Sequence, residues 1–161
     1  LLTIVPRHPE RFDDVARLID AMGLSLVRRS QSGSDGGGKV GSEVYLGDTL
    51  GELRMLYGAS DVAFVGGSLI ERGGHNPLEP AAWGIPVVSG PHIFNFETIY
   101  DRLDSGQGLF ITDSAESLAR CVVHLFSDKS SAQKAGHNAL AVVNANRGAL
   151  EKVVDGIVKR V

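Results

Sequence analysis

The stretch Arg72-Gly73-Gly74-His75-Asn76-Pro77-Leu78-Glu79-Pro80 concentrates residue types that can hold an anion. Asn76 suits a helix N-cap, Pro77 the first helical position and Glu79 the third, which is capping-box spacing. That cap accounts for Asn-Pro-x-Glu. It does not account for Gly66-Gly67-Ser68 and Gly73-Gly74 upstream, because five small residues at a strand end cost chain entropy unless the backbone must approach another group. A helix N-terminus cleared by glycines is an anion site. The segment therefore reads as both a cap and a ligand site. Glu79 either folds back onto its own helix or turns outward to accept hydrogen bonds from ribose hydroxyls.

The elements that would position this segment are legible from apolar patterning. Leu1–Val5, Leu24–Val27, Val44–Leu46, Asp61–Val65, Pro86–Val88 and Gly108–Ile111 read as short buried strands. Between them lie helix-period segments: 10–22 with Phe12, Val15, Ala16, Ile19 and Met22 on one face, then 50–57, 77–83 and 94–103. Asp113-Ser-Ala-Glu116 has capping-box spacing and opens a helix through Phe126. Two more helices follow, near 130–144 and 148–161. This alternation predicts the α/β class, a Rossmann-like parallel sheet flanked by helices, over a single domain of residues 1–161. In such sheets ligands sit outside the carboxyl ends of the strands.

Three further loops leave that edge. In "VPRHPER", His8 can cap, Pro9 suits the first turn, and Arg7 can fork onto a phosphate. In "LGDTLGEL", Gly47 and Gly51 permit close backbone approach, and Asp48 can cap the next helix. "SGPHIFN" follows the fifth strand. His75 and His92 fall in these loops, but none of the five histidines has metal-ligand spacing. No Ser-His-Asp or Cys-His nucleophile motif occurs. Gly33-x-x-x-x-Gly38-Lys39 nearly matches a P-loop. Val40 stands where that motif needs a hydroxyl, and "VGSEVYL" after it reads as a strand rather than a helix.

Bulk properties narrow the classes. The 161 residues carry a net charge of −3, 43% hydrophobic and 22% charged residues, ordinary for a globular domain and without a basic footprint for nucleic acid. The single cysteine, Cys121, excludes an internal disulfide. No apolar run has the roughly 18 residues of a membrane span. The opening "LLTIVP" lacks Met and begins inside a strand-like run, which suggests a piece of a longer chain.

The combination "VPRHPERF", "YLGDTLGEL", "ASDVAFVGGSL", "RGGHNPLEPAAWGIPVVSGPH" and "NFETIYDRL" resembles the 3-deoxy-D-manno-octulosonic acid (Kdo) transferases of lipid A synthesis. The likeness is to their C-terminal half, from Leu1 to beyond Ile111. It implies half of a GT-B fold that binds the donor CMP-Kdo, in an inverting enzyme at the cytoplasmic face of the bacterial inner membrane. The acceptor, a lipid A precursor, the catalytic general base and the membrane anchor would belong to an N-terminal domain. The isolated piece would then bind CMP without catalysing transfer.

Carried over by position, the resemblance gives Pro6 and Arg7 to the donor phosphate, with Arg7 stabilising the leaving CMP. Leu50 and Gly51 lie near the nucleotide, with Leu50 where the family often has Met. Gly67, Ser68, Gly74, Asn76, Leu78 and Glu79 cradle cytidine monophosphate, with Glu79 on the ribose. No D-x-D cluster occurs, so neither a metal nor another cofactor is expected. Two other readings compete: a GT-B enzyme or epimerase using a UDP-sugar, and a non-catalytic interaction domain.

Overall fold

The computed structural model describes residues 1–32 and 41–147. The P-loop-like run and the expected helix at 148–161 lie outside the described residues. The chain divides into two compact units, Leu1–Leu56 and Tyr57–Val161.

The first unit holds β1 (Leu2–Ile4), α1 (Phe12–Ala21), β2 (Leu26–Arg28), β3 (Val44–Leu46) and the start of α2 (Leu53–Gly58). Its sheet is parallel in the order β1-β3-β2. The central strand is the apolar core: Val44 and Leu46 are 1% and 0% exposed. β1 was expected to be buried, yet Leu2 is 55% exposed, because β1 is an edge strand. α1 buries Ala16 and Ile19 from the expected stripe and leaves Met22 exposed.

The second unit holds β4 (Ala63–Val65), α3 (Leu78–Ala81), β5 (Val87–Ser89), α4 (Glu97–Ser105), β6 (Leu109–Ile111), α5 (Ala115–Ser127) and α6 (Lys129–Arg147). Its parallel sheet runs β4-β5-β6, and all three residues of the central β5 are buried. Val65, Val87 and Leu109 from the strands meet Ala81, Tyr100, Leu103 and Ala139 from three helices in one core. α6 approaches through small residues: a Cβ added to Gly136 would lie 2.0 Å from the Gly84 oxygen.

The cap of α5 is shifted one residue from the expected Asp113/Glu116 pair. Ser114 is the N-cap, its hydroxyl accepting from the Ser117 N–H at 3.2 Å, while the Ser117 hydroxyl accepts from the Ser114 N–H at 3.0 Å. Asp113 instead accepts from both serine hydroxyls. Those bonds, from Ser117 first, hold its carboxyl below the ordinary range.

Candidate functional site

The loops after β1 and β3 leave the carboxyl edge of the first sheet. Their roots touch: a Cβ on Gly47 would lie 3.1 Å from Val5 and 3.0 Å from Leu56. This accounts for Gly47 by packing within the unit. Pro6 is half-buried and Arg7 is exposed. Among the described residues Arg7 has no ion-pair partner, so its guanidinium is open to an anion. His8 does not cap with its side chain; Pro9 opens a 3-10 turn, Pro9–Arg11, before α1.

Asp48 does not cap α2. Its carboxylate is 1% exposed and turns back to the end of β2. It accepts from Arg28 Nε at 2.7 Å, the Ser30 N–H at 2.8 Å and the Ser30 hydroxyl at 2.6 Å. Four residues on, Glu52 takes Arg29 Nε at 3.1 Å and Nη2 at 2.9 Å, together with the Thr49 hydroxyl. Between these two fixed carboxylates stand Leu50, 74% exposed, and Gly51, at φ 84°. The loop is pinned on both flanks and presents its middle to solvent.

In the second unit the expected residues Gly67, Ser68, Gly74, Asn76, Leu78 and Glu79 fall on one connection, from the carboxyl end of β4 to α3. Asn76 Oδ1 accepts from the Leu78 N–H at 3.1 Å. The capping box is not formed. α3 is a single turn whose N-cap position is Pro77, without a side-chain cap bond. Pro77 has no N–H and that of Leu78 is already taken, so the helix end offers fewer donors than its sequence implied. Glu79 is exposed, and its carboxylate has no hydrogen-bond or ion-pair partner among the described residues.

The glycines also have close neighbours within the protein. Gly67, Gly73 and Gly74 have φ of 72°, 83° and 71°, the left-handed region. A Cβ on Gly73 would lie 2.5 Å from the Asn95 side chain and 2.6 Å from Phe94; one on Gly74 would lie 3.3 Å from both the His92 oxygen and the Tyr100 hydroxyl. The groups approached are the protein's own. Of the four glycines in this connection, Gly66 alone has nothing within 4 Å of an added Cβ.

Ser68 is fully buried. Its hydroxyl donates to the Val65 carbonyl at 2.7 Å and accepts from the Gly90 N–H at 2.8 Å. The side chain therefore ties the β4 loop to the end of β5. Ser68→Ala would strand the Gly90 N–H, and chemical denaturation should show a loss of about 1–3 kcal/mol. A loss under about 0.5 kcal/mol would contradict this arrangement.

Sequence reasoning passed over Tyr57, Gly90, Asn95 and Tyr100. Burial first, then the charge of Glu79 and then Tyr100 push the Tyr57 hydroxyl up to about 12, so it stays protonated beside Glu79. Burial also raises the Tyr100 hydroxyl, against a weaker opposing effect from Ser89. For Gly90 and Asn95 the signal was present in "SGPHIFN", which leaves the same sheet edge. A cavity of about 380 Å3 lies elsewhere, at the amino ends of β4 and β5, lined by Asp61, Pro86, Phe126 and Lys129. It holds none of the expected residues. Among the described residues no cluster of His, Cys, Asp and Glu could hold a metal ion, and no helix is long and apolar enough to cross a membrane.

The parallel sheets flanked by helices are of the Rossmann-like class, and the model of the family "Glycosyl transferases group 1" matches residues 39–142. The chain is 44% identical over 156 residues to a 3-deoxy-D-manno-octulosonic acid transferase of Haemophilus influenzae, covering 96% of this chain and 36% of that protein. It is 38% identical over 158 residues to the transferase of the same name from Bordetella pertussis, covering 98% and 36%. It is also similar to the solved C-terminal CMP-Kdo binding domain of WaaA from Acinetobacter baumannii. There the TM-score is 0.81 at 37% identity, covering 88% of this chain and 72% of that one. The chain belongs to the Kdo transferases, in the part that corresponds to their C-terminal domain, and spans about a third of the length of these curated relatives.

Proposed function

We propose that this chain is the donor-binding domain of a Kdo transferase and binds CMP-Kdo. The observation that carries the reading is the likeness to a solved CMP-Kdo binding domain at 37% identity and a TM-score of 0.81. The parent enzyme, on this reading, transfers Kdo with inversion to a lipid A precursor at the cytoplasmic face of the inner membrane. The general base and acceptor site lie in another domain, no metal is required, and this chain alone binds nucleotide without turnover.

The proposed roles follow the residues. Arg7, exposed and without an ion-pair partner among the described residues, suits the donor phosphate, where a guanidinium can fork onto two oxygens. Pro6 fixes the backbone before it. Leu50 and Gly51 give the first unit's other loop an apolar tip for the nucleotide. Gly67, Ser68, Gly74, Asn76 and Leu78 shape the second unit's loop, with Ser68 acting from within the core. Glu79 accepts from the ribose hydroxyls, a role supported by its exposure and by having no hydrogen-bond or ion-pair partner among the described residues.

Calorimetric titration of the chain with CMP tests this. Binding should be measurable at up to millimolar CMP and tighter than for UDP. Glu79→Ala should weaken CMP by about tenfold, the size of one lost charge-assisted hydrogen bond. It should leave 2′,3′-dideoxycytidine monophosphate almost unaffected. Tighter binding of UDP would replace the donor assignment, and equal loss with both cytidine ligands would remove Glu79 from the ribose.

A further inference from the structure

Four consecutive carbonyls of the glycine-rich loop accept hydrogen bonds from two residues beyond β5. Asn95 Nδ2 donates to the Arg72 oxygen at 2.9 Å and to the Gly74 oxygen at 3.3 Å. The Asn95 N–H donates to the Gly73 oxygen at 3.0 Å. The Tyr100 hydroxyl donates to the His75 oxygen at 3.0 Å. A run of carbonyls turned to one side is possible only because Gly73 and Gly74 adopt left-handed φ. The absent side chain of Gly73 makes the room that Asn95 occupies.

The direction of the tyrosine proton is also set. The buried Ser89 hydroxyl donates to the Tyr100 oxygen at 3.3 Å, so the single Tyr100 proton is free for the His75 carbonyl. On the other side of the loop, the Gly74 and His75 N–H groups bond to the Gly67 and Gly66 oxygens at 2.9 and 3.2 Å. The backbone leading into Asn76 and Glu79 is thus held on both sides. Asn95 differs from a core support because it is itself exposed.

We propose that Asn95 and Tyr100 are positioning residues for nucleotide binding. They fix the Arg72–His75 backbone through its carbonyls, and so set Asn76 and Glu79 at the angle a cytidine nucleotide meets. The ligand half of this inference rests on the donor-binding reading above; the loop half does not.

The test compares the chain with its Asn95→Ala, Asn95→Asp and Tyr100→Phe variants. The readouts are thermal midpoint, amide hydrogen exchange at Gly74 and His75, and CMP affinity. Losing a donor to a loop carbonyl should speed exchange of both amides and weaken CMP about five- to tenfold. Asn95→Ala should stay close to the parent midpoint, because the residue is exposed. Asn95→Asp keeps the shape but replaces two donors by acceptors facing carbonyls, and should be worse than Asn95→Ala in both exchange and affinity. A side chain that merely packs would give the reverse order. Unchanged exchange in both Asn95 variants overturns the proposal, as does unchanged CMP affinity when the parent chain binds. If the parent chain binds no CMP, the donor-binding reading fails, and the positioning of the loop is decided by exchange alone. Tyr100→Phe repeats the test at the second donor, and the Asn95 pair carries it should that buried variant not fold.

Discussion

Gly90→Ala should destabilise the second unit by about 3 kcal/mol, the upper part of the usual overpacking range. A Cβ at Gly90 would lie 2.2 Å from the Ser68 oxygen, 2.3 Å from the Ser68 carbonyl carbon and 2.5 Å from the Leu69 nitrogen. All three are backbone atoms, so no flexible side chain can swing aside. The crossing is also tied in place: the Gly90 N–H donates to the Ser68 hydroxyl, and the His92 N–H donates to the Ser68 oxygen at 3.0 Å. One methyl group must therefore either break these bonds or push the β4 loop outward. The control is Gly66→Ala, in the same loop but facing open space. Calorimetry should find the midpoint of Gly90→Ala lower by about 6–12 °C, and that of Gly66→Ala within about 2 °C of the parent. Equal effects in the two variants would mean that the chain crossing is looser than these distances. CMP affinity should fall with Gly90→Ala as well, since the displaced loop carries Gly67 and Gly74.

That crossing also explains what could and could not be read in advance. The alternation of strands and helices was legible because the central strands β3 and β5 are buried and therefore apolar. The edge strand β1 carries the same residue types, so its exposure had no signal of its own. Local chemistry was read nearly correctly: Asn76 does accept from its own loop two residues on, and the α5 cap moved by only one position. Errors arose where the partner is distant in sequence. Asp48 looked like a cap and instead reaches back to residues 18 and 20 positions earlier. The partner of the Ser68 hydroxyl, Gly90, lies 22 positions later. The glycine pairs implied a close neighbour, and Asn95 with Tyr100 is one. Glycine spacing registers that something comes close without saying what.

The second large effect lies at Asp48. Its carboxylate is 1% exposed and Arg28 only 22% exposed at the side chain, so removing the acid strands the Ser30 N–H and leaves Arg28 to its other, exposed partner Asp13 at 2.7 Å. Asp48→Ala should cost the first unit about 3 kcal/mol at neutral pH, as expected for breaking a buried pair from one side. The same arrangement fixes a pH dependence. Burial pushes the Asp48 carboxyl up, but the Ser30 hydroxyl, the Ser30 N–H and the Arg28 guanidinium outweigh it, and the group titrates below its ordinary value. Protons therefore bind the unfolded chain more readily than the folded one. The resulting stability is complete above the unfolded carboxyl value of about 4. It is lost as pH falls through that value towards the lower folded one. Glu52, held down by Arg29 and then Thr49, and Glu43, held down by the Ser25 N–H and then its hydroxyl, act in the same sense. Urea midpoints of the parent chain should thus be flat near neutrality and fall steeply below about pH 4. The gap between parent and Asp48→Ala should narrow over that interval, because acid removes from the parent what the substitution has already removed. A gap that stays constant down to pH 2 would mean that Asp48 acts through shape rather than charge, and Asp48→Asn should then match the parent at neutral pH.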